Sequence, residues 1–321
     1  MPQQTVVAVG KLLRVALGVA LVILLLYAVD FRSLLAAFSD ISLGDLALLA
    51  LIAAILIFVS VLKWRIFLAR LGITASVVHL YRLYLVGYFV NLIMPSYVGG
   101  DLVRSLYVGA HVDRAHSVSA TLLERYTGFV AMVLMALIAL PLSQGVTYEI
   151  GAAVVLTAVA AAIGSAAVFT RRASWLARSL RLPVKWVVMA ERIESGLVWG
   201  ASDPILMLRA FGLSFVFHVM TIVNTVAVSR AVGWEGAPWG ELFVVVPLIL
   251  LIGAVPVSPQ GLGIQEGAFV FFLQAAGATS AQALAVALVL RAKSYLLALL
   301  GGLLWLGVRH DRPQAATTTS S

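Results

Sequence analysis

Apolar runs of bilayer-crossing length recur along the whole chain, and this repetition constrains the fold more than any other feature. From residue 150 to 170 no charged side chain interrupts the sequence, and 46–62 is equally free of charge. A helix needs about 20 predominantly apolar residues to cross the hydrocarbon core of a membrane. Full-length candidates are 12–29, 45–62, 117–142, 149–170, 205–229 and 281–308. Two further stretches are short and interrupted: 80–94, which runs into Pro95, and 241–256, which runs into Pro256 and resumes at 264–276. Over 321 residues, 62% are hydrophobic, 11% are charged and the mean hydropathy is +1.05. A soluble domain of this length needs far more polar surface than that. The expectation is an all-α, polytopic integral membrane protein.

Composition removes several other classes. Lys11 ahead of the first run and Arg14 at its start resemble a signal peptide, but Asp30-Phe-Arg follows in place of a small-residue cleavage site, so a retained first helix is expected. Cysteine is absent, which removes disulfides, thiol nucleophiles and thiolate metal sites. The five histidines are scattered without metal-ligand spacing. Neither a metal nor a cofactor is expected. The net charge of +8 sits in short loops between apolar runs, which fits membrane orientation and anionic headgroups rather than nucleic acid.

Lys and Arg in short loops set orientation. Lys63, Arg65, Arg70 and Arg82 follow the second run, Arg171, Arg172, Arg178, Arg181, Lys185 and Arg192 form the largest cluster, and Arg309 and Arg312 follow the last run. With Lys11, these are expected in the cytoplasm, as are both termini. Segments 143–149 and 231–241 lack Lys and Arg and carry Glu149, Glu235 and Glu241, so they are expected outside. Parity then decides the short stretches. If 80–94 crossed completely, 117–142 would run the wrong way, so 80–94 must turn at residues 95–100 and return. The same count makes 241–276 a second re-entrant hairpin that enters from outside and turns near 256–263.

Two similar halves result. A single transmembrane domain, 1–311, is expected to hold repeat A (about 10–142) and repeat B (about 149–309), with a cytoplasmic amphipathic connector at 171–203 and a disordered tail at 312–321. Each half carries a Pro-Gly break followed by charges inside a full span. Pro95 precedes Arg125 by 30 positions and Pro259 precedes Arg291 by 32. The halves face opposite ways, as in inverted-repeat transporters, whose broken segments mark the binding site. About six full spans plus two broken-helix hairpins is the predicted architecture.

The charges cluster at the breaks. In Asn91-Leu-Ile-Met-Pro-Ser-Tyr-Val-Gly-Gly-Asp-Leu-Val-Arg104, irregular backbone at membrane depth requires burial in protein or contact with water. Gly99 and Gly100 permit positive φ and close approach. Asp101 suits the cap of a following helix, and Arg104, one turn on, suits a forked contact with phosphate. A capped loop with Arg104 reaching to headgroups fits the same residues. Glu124 and Arg125 lie some ~10 Å into their span by helical rise. Adjacent residues on a helix diverge, so each needs a partner elsewhere: Asp101 or Glu266 for Arg125, Arg291 or Lys293 for Glu124. A charge at the helix centre costs about 2.5–3.5 kcal/mol on insertion scales, which disfavours a lipid-facing position. Substrate binding and structural ion pairing both satisfy that requirement. The second tip, Ser258-Pro-Gln-Gly-Leu-Gly-Ile-Gln-Glu-Gly267, offers Ser258, Gly261, Gly263 and Glu266. His218 and Asn224 suit helix–helix hydrogen bonds. In 171–200, Trp175, Trp186 and Trp199 accompany the basic residues, and Val187, Ala190, Ile193 and Leu197 fall at helical spacing, as in an interfacial helix.

These motifs carry a family resemblance. Asn91-x-x-x-Pro-x-x-x-Gly-Gly-Asp-x-x-Arg104, Glu124-Arg125-x-x-Gly128 and Pro256-x-Ser-Pro-x-Gly-x-Gly-x-x-Glu-Gly267 followed by Arg291 resemble the transmembrane region of lysylphosphatidylglycerol synthases, the flippase-like UPF0104 membrane family. The likeness covers about residues 10–308. In the best-understood members this region looks like a translocator that moves aminoacylated phosphatidylglycerol outward, while a soluble C-terminal domain makes the lipid. That domain is not in this sequence, so no enzymatic activity is expected of it.

The resemblance implies a flippase-like lipid translocator of the bacterial inner membrane. Its substrate would be an anionic or aminoacylated phospholipid or a polyprenyl-phosphate-linked lipid. Asn91, Pro95, Gly99, Gly100, Asp101, Arg104, Glu124, Arg125, Ser258, Gly261, Gly263, Glu266, Arg291 and Lys293 would form its headgroup pathway. Membrane lipids, and a separately encoded lipid-modifying enzyme or glycosyltransferase, are the expected partners. Two alternatives differ in class: an ion-coupled small-solute transporter with Glu124 or Glu266 as proton site, and a non-transporting partner of an envelope synthase.

Overall fold

The computed structural model describes residues 16, 19–27, 30–94, 98–109, 113–143, 147–169, 172–180, 183–255 and 258–308. Pro95, Pro256, the start of the first predicted span and the tail 312–321 lie outside these residues. The ordered elements are helical, with no strand among the described residues. They are α1 (Val19–Tyr27), α2 (Phe31–Ser39), α3 (Leu43–Arg70), α4 (Val77–Ile93), α5 (Val98–Val108), α6 (Arg114–Ala139), α7 (Tyr148–Phe169), α8 (Arg172–Ser179), α9 (Val184–Ala201), α10 (Pro204–Ala231), α11 (Trp239–Ala254), α12 (Ile264–Ala275) and α13 (Ser280–Val308).

Among the described residues four helices, α3, α6, α10 and α13, are long and apolar enough to cross a membrane. The pair α1 and α2, bent by 97°, would make a fifth if it is one span. The sequence reading counted six. α7 follows the predicted 149–170 run over 22 residues. Exposed Leu296, Leu299, Leu303 and Leu306 run down α13. An apolar outer surface on such helices suits lipid, and the chain is a multi-pass membrane protein.

Local chemistry explains the helix starts. Ser42 and Asp45 form a capping box at α3. Ser76 caps α4 through the amide of His79, and Asp113 caps α6. Asp203 caps α10, with Pro204 in its first turn as predicted. One boundary corrects the sequence reading. Loop charge places Lys63 beyond the end of its span, but α3 runs through it to Arg70, and Lys63 is buried. A lysine can stay inside an apolar helix when a carboxylate meets it there.

Loop contacts gather the helix ends into two groups. Arg70 at the end of α3 stacks on Trp199 of α9, 4.1 Å from its ring, and donates to Ser202. Arg192 lies 3.8 Å from Asp113, ahead of α6, and Trp305 near the end of α13 donates to Tyr107 near the end of α5. In the other group, Ser143 donates to the carbonyl of Gly240 and Gln282 to that of Gly233. α4 and α5 therefore begin and finish beside the first group, and α11 and α12 beside the second.

The packing partners also correspond. α4 lies on α5 as α11 lies on α12; α5 lies on α6 as α12 lies on α13; and α4 lies on α13 as α11 lies on α6. α3 and α10 pack against each other.

Candidate functional site

Each short pair of helices is closed by glycine. A Cβ on Gly100 would lie 2.1 Å from the carbonyl oxygen of Gly87, and one on Gly261 would lie 2.4 Å from that of Gly253. Only residues without a side chain let the backbones approach this closely. Asn91 reaches across the first break, its Oδ1 accepting from the amide of Gly100 at 2.7 Å. At the second break, Ser258 donates to the carbonyl of Leu262 at 2.8 Å and Glu266 accepts from the amide of Gly263 at 2.7 Å. Gly261 and Gly263 have positive φ, +65° and +78°. Gly99 and Gly100 do not, contrary to expectation: they lie in the first turn of α5, where lack of bulk is the requirement, not backbone freedom.

At the first break the charges form one chain. Asp101 takes Arg125 in a two-pronged contact, with Nε and Nη2 each 2.7 Å from a carboxylate oxygen. It also takes Arg104 Nε at 3.1 Å. Arg104 Nη2 reaches Glu124 at 2.5 Å. Glu124 in turn accepts from Tyr84 at 3.2 Å and lies 3.4 Å from Lys63 Nζ. The Arg104 guanidinium sits 4.4 Å from the Trp64 ring centre and 4.2 Å from that of Tyr84. Two aromatic faces and two carboxylates suit a planar, weakly hydrated cation.

At the second break Arg291 pairs with Glu266 and donates to the carbonyl of Gln260 at 2.8 Å. Gln260 has φ +49°, which turns that carbonyl into place. Two residues on, Lys293 donates to Asn224 Oδ1 on α10 at 2.5 Å. His218 meets the carbonyl of Gly128 on α6 at 2.8 Å, the helix–helix bond expected of it.

Several sequence expectations change here. Arg125 meets Asp101, one of its two predicted partners. Glu124 meets neither Arg291 nor Lys293, because α6 turns that face toward α3 and α4. Asp101 is not a cap; it lies within the first turn of α5 and serves two arginines. Arg104 is not free to fork onto a phosphate, since its side chain is 1% exposed and bound to two acids. Arg125 is 53% exposed, so it is the arginine of the first break that a ligand can reach. Lys63, Trp64 and Tyr84 were missed. For Lys63 and Trp64 the signal was the apolar run continuing past Lys63 through Ile66, Phe67 and Leu68.

The predicted connector is two helices, α8 and α9. α9 buries Gly196, Leu197 and Gly200 along α6, where Ser119 donates to the carbonyl of Ile193, and leaves Trp186 and Trp199 exposed. A hollow of about 350 Å³ bounded by Ser174, Arg178, Glu191, Glu194 and Ser195 lies between α8 and α9 and shares no residue with either charged network. Among the described residues no group of three or more His, Cys, Asp or Glu is placed to hold a metal.

Comparison with known proteins agrees with the resemblance. The family described as lysylphosphatidylglycerol synthase TM region matches residues 11–302. A UPF0104 membrane protein of Methanothermobacter thermautotrophicus is 25% identical over 320 residues, covering 90% of each chain. No solved structure matches.

Proposed function

The chain belongs to the lysylphosphatidylglycerol synthase transmembrane-region family, and on that premise we propose that it is a lipid translocator. Its substrate is an anionic or aminoacylated phospholipid or a polyprenyl-phosphate-linked lipid, carried across the inner membrane. The observation that carries this reading is the matched carboxylate–arginine pair at the two helix breaks. Asp101 and Arg125 are 24 residues apart, Glu266 and Arg291 are 25 apart, and in each pair the acid opens the helix after the break.

The two sets of helix contacts correspond, and each short pair returns to the end of the molecule where it began. This supports an inverted repeat of two broken-helix hairpins within the membrane. Asp101 and Glu266 hold the arginines ready for a phosphate, which exchanges with the carboxylate as the repeats rock. Asn91 and Ser258, with Gly99, Gly100, Gly261 and Gly263, keep the breaks narrow. Arg104 and Glu124 position Arg125 through Asp101. The protein transports rather than catalyses, works beside a separately encoded lipid-modifying or glycosyltransferase enzyme, and keeps both termini in the cytoplasm.

Reconstitution with labelled anionic phospholipid tests this. Wild type should flip the lipid, and an Arg125→Ala, Arg291→Ala double variant should be at least about tenfold slower, since each arginine offers a charge-assisted contact of roughly 1.5–3 kcal/mol. Equal rates would remove the proposal.

A further inference from the structure

One partly buried cation beside the second break lacks what the cations of the two networks have. Lys63, Arg104, Arg125 and Arg291 each lie within 4.0 Å of a carboxylate. Among the described residues Lys293 has no such neighbour; its ammonium donates to the neutral side chain of Asn224.

The correspondence between the halves shows what is missing. α3 and α10 are both 28 residues long, and Lys63 and Asn224 each stand 20 residues beyond the first residue of their helix. Lys63 meets Glu124, next to Arg125 on α6. Asn224 meets Lys293, two residues from Arg291 on α13. The first half thus joins its long helices through an acid and a base. The second joins them at the matching place through a base and an amide.

An ammonium at membrane depth without a counter-charge is costly and marks a functional position. Asn224 is 4% exposed and Lys293 is partly buried, so the amide fixes the lysine from the α10 side while no carboxylate among the described residues neutralises it.

We propose that Lys293, oriented by Asn224, is a receptor for a singly charged phosphoryl anion between α10 and α13. The inference rests on the translocator reading for its setting and assigns the anion to a residue outside the closed ion pairs. The lysine supplies up to three donors, one of them held by Asn224, and the anion supplies the charge that Glu124 supplies to Lys63 in the first half. Two sources carry this chemistry: the phosphodiester of a lipid headgroup and inorganic phosphate.

The test uses the substitution Asn224→Asp, which builds the missing carboxylate into the protein. Purified full-length wild type, N224D, Lys293→Gln and Lys293→Arg would be titrated with phosphatidylglycerol in phosphatidylcholine nanodiscs and, separately, with inorganic phosphate in detergent. Bound anion would be counted by native mass spectrometry, and thermal unfolding recorded alongside. Wild type should bind one anion at this site. N224D and Lys293→Gln should weaken it by about tenfold or more, in keeping with a charge-assisted contact. Lys293→Arg should keep most of the affinity. N224D should melt no lower than wild type, which separates lost binding from lost folding. Loss confined to phosphatidylglycerol assigns a lipid headgroup; loss confined to inorganic phosphate assigns a free anion.

Undiminished binding of both probes to N224D and Lys293→Gln overturns the site. If that happens while the double arginine variant still flips lipid slowly, the translocator reading stands alone. If the double variant flips normally while N224D loses the anion, the site stands and the translocator reading falls.

Discussion

Glu124 gathers Lys63, Arg104 and Tyr84 around one buried carboxylate, and removing its charge leaves two cations without a complete partner. Breaking a buried pair from one side costs about 3–5 kcal/mol, much of it the penalty on the orphaned charge. Glu124→Gln should therefore destabilise the protein by that amount in denaturant titration, through a fold defect rather than a ligand defect. Lys63→Met should cost less, because Glu124 keeps Arg104 and Tyr84. A Glu124→Gln protein as stable as wild type would show that Glu124 does not hold the first network together. Arg125 behaves differently at the same scale. Its half-exposed side chain makes Arg125→Ala mild for stability, and under the proposed function its effect falls on the rate of lipid flipping.

Hairpin closure depends on atoms that are absent. Gly100→Ala would drive a Cβ into the Gly87 carbonyl, and Gly261→Ala into that of Gly253, where positive φ adds strain. Overpacking of this kind costs about 1–3 kcal/mol, so both variants should melt at lower temperature. Gly212→Ala on α10 and Gly267→Ala on α12 are the controls. A Cβ there meets nothing within 4 Å, both residues are helical, and a gain of about 0.5–1 kcal/mol is expected from the lost backbone freedom. If all four variants melt alike, close backbone approach is not what shapes the breaks.

The arrangement of the whole molecule is open to labelling because the chain has no cysteine of its own. Ser202→Cys and Asp113→Cys should react with a membrane-impermeant maleimide from one face, and Gln282→Cys and Gly240→Cys from the other. This follows from the two groups of loop contacts. Reaction of all four from a single face would rule out hairpins entering from opposite sides.

Hydropathy and loop charge were enough to identify a helical membrane chain, to locate α3, α6, α10 and α13, and to single out two interrupted segments, because bilayer thickness and backbone hydrogen bonding act on runs of residues whatever their neighbours. The Asp203-Pro204 start and the His218 contact were legible for a related reason: cap chemistry and polar side chains in apolar helices allow few alternatives. Which charge meets which was not legible. Glu124 was assigned to Arg291 or Lys293 and found Arg104, Lys63 and Tyr84, because ion pairing depends on helix rotation and on which helices touch, and neither is written in any one segment. The same limit hid Lys63, which resembled a loop charge until the fold brought an acid to it. Only the tertiary structure separated the arginine that is closed in, Arg104, from the one that faces outward, Arg125. It alone set Lys293 against an amide where the other half has an acid.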